Sequence, residues 1–128
     1  MSAPAEARTS LPADASSAAV ARRFVEGTLA DWDLEGLAET ARLLVSELVA
    51  NAVLHARTGL ELVMRQARDA LRIEVHDSSA RLPSRKHYAA DAVTGRGLLL
   101  VETLAAGWGA EPTKDGKSVW FELDTSQT

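Results

Sequence analysis

The chain has 128 residues, a formal net charge of −4 at pH 7, 46% hydrophobic and 25% charged residues, and no cysteine. That is the size and make-up of one globular domain, so wholesale disorder is ruled out, and the acidic balance argues against general nucleic-acid binding. Disulfides, Cys-ligated zinc, iron–sulfur clusters and thiol catalysis are excluded, and a reducing compartment fits.

No apolar run approaches the ~20 residues needed to span a bilayer, and no signal core precedes the domain. A soluble cytoplasmic protein without membrane contact is therefore the expectation. Residues 1–8 read as a disordered tail and 9–11 as a short edge strand. Asp14, Ser16 and Ser17 are good helix caps ahead of a helix over 18–30, where Val20, Phe24 and Leu29 recur at helical spacing. Trp32-Asp33 breaks that pattern. A second helix is predicted over 34–56, with Gly36 in its first turn.

The period then changes. Residues 60–68 read as a strand and 68–70 as a tight turn. Residues 71–77 alternate apolar and polar without a fault, as a strand with one buried face does. The two strands should form an antiparallel hairpin. Residues 78–94 show no period and carry Pro83, several charges and His87. Segments of that length without structure are usually functional or disordered. Gly95-Arg96-Gly97 opens a helix predicted over 98–106. Gly107-Trp108-Gly109-Ala110 leads into a short strand, Asp115-Gly116 turns, and 118–123 forms the last strand. One domain over 9–124 is expected, with 125–128 as a second tail. Its class is α+β: a two-layer α/β sandwich with helices on one face of a mostly antiparallel sheet.

Three features carry chemistry. The first is the second helix, which is apolar almost all round from Leu43 to His55 apart from Ser46, Glu47, Asn51 and His55. Steps of four residues advance about 40° on a helix, so Glu47, Asn51 and His55 share an arc of about 80°. Buried Glu and Asn are costly unless satisfied. They therefore border a polar cavity, or pair with backbone or an Arg. His55 near the helix C-terminus is favoured by the macrodipole, and the other histidines are not at ligand spacing from it, which argues against zinc. The second feature is Asp77, which continues the buried face of Leu71, Ile73 and Val75. It must accept hydrogen bonds, from a ligand such as an exocyclic amine or from the turn that follows. The third is Gly95-Arg96-Gly97 at a helix start, a place suited to phosphate but a weak signal by itself. It is neither a Walker motif nor a dinucleotide fingerprint.

Read in order, these segments resemble the ATP-binding superfamily of gyrase, the heat-shock chaperone of ninety kilodaltons, sensor histidine kinases and MutL proteins, which shares the Bergerat ATP-binding fold. Residues 47–56 resemble its N box, Asp77 the start of its G1 box, Gly95-Arg96-Gly97-Leu98 its G2 box and Gly116-Lys117-Ser118-Val119 its last box. The size and the Asn-Ala-x-x-His ending of the N box are most similar to anti-sigma-factor serine kinases of bacterial partner switching. The resemblance implies Glu47 as general base and Asn51 as the Mg²⁺ ligand. It implies Asp77 on the adenine amine, and Gly95, Arg96, Gly97 and Leu98 around the phosphates of ATP. It implies a sigma factor and an anti-anti-sigma protein as partners, and a homodimer. The segment 78–94 would be the ATP lid, where Arg81, Arg85 and Lys86 could neutralise phosphate or simply be solvated.

Departures from the family pattern keep other functions in view. The G1 stretch Asp77-Ser78-Ser79-Ala80-Arg81 lacks glycine, and Val93 stands where these kinases carry an Arg. In the last box, alternation puts Lys117 with Val119, Phe121 and Leu123. Whether Lys117 or Ser118 meets the nucleotide is left open, with Ser118 taken as the site residue. An ATP-loaded protein-binding switch without phosphotransfer is the main alternative. A detached histidine-kinase catalytic domain is another; no dimerising helical hairpin with an acceptor His is visible.

Overall fold

In a computed structural model of the chain, the described residues are 5–55, 59–78, 101 and 103–126. They form β1 (Glu6–Leu11), α1 (Ser17–Asp31), α2 (Ala38–His55), β2 (Leu60–Ala67), β3 (Ala70–Asp77), β4 (Gly107–Pro112) and β5 (Lys117–Asp124). The strands make one five-stranded sheet in the order β1-β2-β3-β5-β4. Every neighbouring pair in it is antiparallel. The helices pack on one face, the α+β sandwich that the element order predicts.

Local chemistry sets the boundaries. Asp14 accepts a 2.9 Å hydrogen bond from the Ser16 N–H, and the buried Ser17 hydroxyl donates to the Pro12 carbonyl. Together they pin the chain as it enters α1. The helix ends where Asp33 takes a left-handed φ of 57°. The N–H groups of Leu34 and Asp33 then reach back to the carbonyls of Leu29 and Ala30, closing the helix in a Schellman arrangement. For that reason the predicted second helix does not start at residue 34. A 3-10 turn, Glu35–Leu37, holds Gly36, and α2 follows. β1 begins at Glu6, inside the stretch read as tail, because Glu6–Leu11 find partners along β2. In the β2–β3 hairpin Asp69 supplies the left-handed residue of the turn, at φ 61°, a region that Asp tolerates. The third predicted helix is helical at Val101, Thr103 and Leu104 but has ended by Ala105; the Ala106 N–H already bonds the Glu122 carbonyl of the sheet.

Strict alternation along β2, β3 and β5 sorts the two sheet faces. Leu62, Met64, Leu71, Ile73, Val75, Phe121 and Leu123 pack under Val25 and Leu29 of α1 and Leu44, Val45, Leu48 and Val49 of α2. The opposite face carries charge. Glu74, at its centre, is buried beneath its own partners: Arg72 Nε and His76 Nε2 each at 2.8 Å, with Arg65 at 3.9 Å. The Arg72 guanidinium also lies 4.0 Å from the centre of the Trp120 ring.

Candidate functional site

The apolar face of α2 has one polar interruption that is fully enclosed. Asn51 is 2% exposed, and among the described residues neither its amide nitrogen nor its carbonyl oxygen has a hydrogen-bond partner. An unsatisfied buried amide costs roughly 1–3 kcal/mol, so both polar atoms of Asn51 call for a partner such as a water, an ion or a ligand.

Opposite it the sheet supplies two charges. Asp77 is the last residue of β3 and Lys117 the first of β5, and the register sets them directly across from each other. Their side chains are 1% and 4% exposed, and Lys117 Nζ lies 3.8 Å from Asp77 Oδ2. That is beyond hydrogen-bond reach, so charge attraction holds this contact. Buried charges persist only when paired, and each of these offsets the other. Asn51, Asp77 and Lys117 line one small cavity with Leu48, Ala52, Val75 and Val119, about 10 Å³ in volume. That is room for about one water. A wider, open cavity of about 500 Å³ adjoins the same end of the sheet, between Leu11, Gly59, His76, Ser78 and Thr113, and Asp77 lines it as well.

Backbone as well as side chains shapes this corner. A Cβ on Gly116 would stand 1.9 Å from the Asp77 carbonyl oxygen and 2.7 Å from Ser78 Cα. Only glycine lets the turn before β5 press against the end of β3, and that contact seats Lys117 beside Asp77.

The sequence-derived residues divide as follows. Asn51 and Asp77 meet in the enclosed cavity. Glu47, one turn before Asn51, is half-buried and lies outside the cavity lining. Ser118 is buried and pairs with His76, so it belongs to the charged face of the sheet, while Lys117 takes the cavity side. Period-two alternation already carried that signal through Val119, Phe121 and Leu123. Gly95, Arg96, Gly97 and Leu98, the basic residues Arg81, Arg85 and Lys86, and the side chain of His55 lie outside the described residues. Among the described residues no group of three or more His, Asp or Glu could hold a metal ion; a metal held with a ligand in this cavity would draw on the Asn51 side chain. Asn51 fits that part, since its enclosed carbonyl oxygen is unspent. No helix among the described residues is long and apolar enough to cross a membrane.

An acceptor carboxylate, a donor ammonium and a bare amide, side by side in an apolar setting, suit a ligand edge that offers a donor next to an acceptor. Compared with models of known families, residues 11–123 match the one described as a histidine kinase-like ATPase domain. No curated protein matches the chain.

Proposed function

The chain belongs to the histidine kinase-like ATPase domain family, and from that premise we propose that this ATP-binding regulatory protein is an anti-sigma-factor serine/threonine kinase. It would hold a sigma factor and phosphorylate a serine on an anti-anti-sigma protein, as a cytoplasmic homodimer. The observation that carries the site is the enclosed Asn51 amide with both polar atoms unspent, beside the Asp77 carboxylate.

In this reading Asp77 accepts from the adenine amine and fixes the base. Asn51 would hold Mg²⁺, which when bound would draw charge from the phosphates of ATP. Glu47 is half-buried one turn before Asn51 on α2 and lies outside the cavity lining. It would take the proton from the acceptor serine as the hydroxyl oxygen bonds to the γ-phosphorus and the bond to the β–γ bridging oxygen breaks, with ADP leaving. The remaining work is positioning and electrostatics.

A second reading is an ATP-loaded switch that binds its partner without phosphotransfer. The absence of glycine in Asp77-Ser78-Ser79-Ala80-Arg81 favours it, since glycines there would ease rearrangement over the nucleotide. Calorimetry with ATP, with and without Mg²⁺, tests the shared premise. Incubation with γ-labelled ATP and a candidate partner separates the two. Label on serine supports the kinase; ATP binding with no label on any partner supports the switch.

A further inference from the structure

β1 ends the sheet on one side: it pairs with β2, and among the described residues no strand lies beyond it. The ladder fixes which of its backbone groups face outward. The Gln66 N–H donates to the Ala5 carbonyl at 2.9 Å, and the register that sets Glu6 against Arg65 continues to set Ala5 against Gln66. In an antiparallel pair, bonded positions alternate with unbonded ones. Ala7, Thr9 and Leu11 therefore spend their N–H and C=O groups on β2, while those of Glu6, Arg8 and Ser10 point away from the sheet. Such an edge is a template for another strand.

The helix above this edge has an open side as well. α1 packs over β1, and α2 over β3. Arg22 and Glu26 turn toward α2, where they bond Ser46 and Arg42. At about 100° per residue, Val20 and Phe24 lie about 160° round α1 from Arg22 and Glu26, with the core-facing Ala21, Val25 and Leu29 between. They flank the helix on the side where the sheet ends. Val20 is 36% exposed and Phe24 half-buried. Charged edge residues alone would read as protection against pairing; an apolar helix flank beside them argues for a partner.

We propose that this edge is the seam of the homodimer, with β1 of a second copy added antiparallel about a two-fold axis at Ala7. The proposal rests on the homodimer of the function proposed above and names its surface. A two-fold axis perpendicular to the sheet keeps each face continuous across the seam, so Glu6, Arg8 and Ser10 meet their own kind. An axis at Ala7 sets Glu6 of each copy opposite Arg8 of the other, a match of opposite charges made twice. An axis at Arg8 would stack like charges, and one at Thr9 would leave Glu6 with no charge facing it. Within one copy Arg8 already reaches Glu6 at 3.2 Å and Glu61 at 3.0 Å, but all three side chains remain exposed and can turn to the other copy. The same axis lays the two α1 helices side by side above the joined strands, where Val20 and Phe24 cover their counterparts.

Sedimentation equilibrium of the full chain reads the seam by charge. Glu6→Arg makes both facing residues positive, and Arg8→Glu makes both negative. Each variant alone should dimerise at least about tenfold more weakly than the parent, since like charges directly opposite are destabilising. Mixed in equal amounts, the two should recover, because every facing pair is again opposite in charge. Purely intramolecular roles for Glu6 and Arg8 would give no such recovery. Val20→Asp, at an exposed position, should weaken the dimer too, and circular dichroism checks that each variant is folded. A parent dimer that withstands all three substitutions, or charge variants that do not recover on mixing, overturns the assignment. A parent that stays monomeric overturns the homodimer itself, and this inference falls with it.

Discussion

Asp77 and Lys117 face each other across two strands, so a substitution at either acts on both. Asp77→Asn replaces a pure acceptor with an amide that turns a donor toward the adenine amine, for an expected loss of about 1–3 kcal/mol in ATP binding. It also removes a charge that offsets the buried Lys117 ammonium, so unfolding by urea should show a loss of stability in the same variant. Unchanged ATP affinity in folded Asp77→Asn would remove the adenine assignment. Glu47 should behave differently, because it lies outside the enclosed cavity. Glu47→Gln keeps its shape and a hydrogen bond. ATP affinity should hold, while phosphotransfer slows at least about 10²-fold, as the loss of a general base does. Rate and affinity are measured on one preparation; a variant that transfers phosphate at the parent's speed would show that the base lies elsewhere.

At the scale of elements, two glycines in different settings make a paired test. Gly27 sits on the exposed side of α1 and a Cβ there meets nothing within 4 Å. Gly27→Ala should stabilise the protein by about 0.5–1 kcal/mol, through helix propensity and a less flexible unfolded chain. At Gly116 the added carbon would meet backbone 1.9 Å away, and backbone cannot rotate aside. Gly116→Ala must push β5 off the end of β3, at a cost of about 2 kcal/mol or more and a fall in Tm of at least about 5 °C. ATP affinity should drop with it, since the backbone that is pushed aside belongs to Asp77, the residue proposed to hold the base. Thermal unfolding of the two variants beside the parent checks both signs; a Gly116→Ala protein as stable as the parent would mean the close approach is dispensable.

For the whole molecule, the charged face of the sheet contributes to the acid limb of stability. Burial by itself would raise the Glu74 carboxyl. Hydrogen bonds from His76 and Arg72, with the charges of Arg65 and Arg72, outweigh it and hold the group below its ordinary value of 4.5. A carboxylate whose folded pKa is depressed adds stability that is fully present above the unfolded value. That stability is lost as pH falls through the folded one. Urea midpoints should therefore change little through this group above about pH 5 and drop as the pH goes below 4.5. Glu74→Gln should lower stability at pH 7 and flatten the acid limb; an acid limb identical to the parent's would assign it to other carboxylates. The outlying pairs Arg8–Glu6, Arg8–Glu61 and Arg42–Glu26 join side chains that are largely exposed and should contribute little.

What the sequence by itself determined is the part governed by local periodicity. The unbroken alternation of residues 71–77 specified a strand with Asp77 on its buried face, and the apolar surround of α2 marked Glu47 and Asn51 alike as bordering a polar cavity, of which Asn51 alone lines the enclosed one. Both features are written in residue spacing, because strand and helix periods are properties of the backbone. The order of elements likewise implied helices over an antiparallel sheet, since apolar faces must be covered. The tertiary structure decided what depends on which strands meet. Pairing of Lys117 with Asp77 follows from the β3–β5 register, which joins residues 40 positions apart. Which of Lys117 and Ser118 lines the cavity was left open by the motif, although alternation held the answer; one residue's shift along a strand exchanges its faces. The split before α2 likewise hinged on Asp33 in a left-handed conformation, a choice that spacing does not record. Register and close backbone approach are set by contacts between distant segments, and they determine which charges share the cavity.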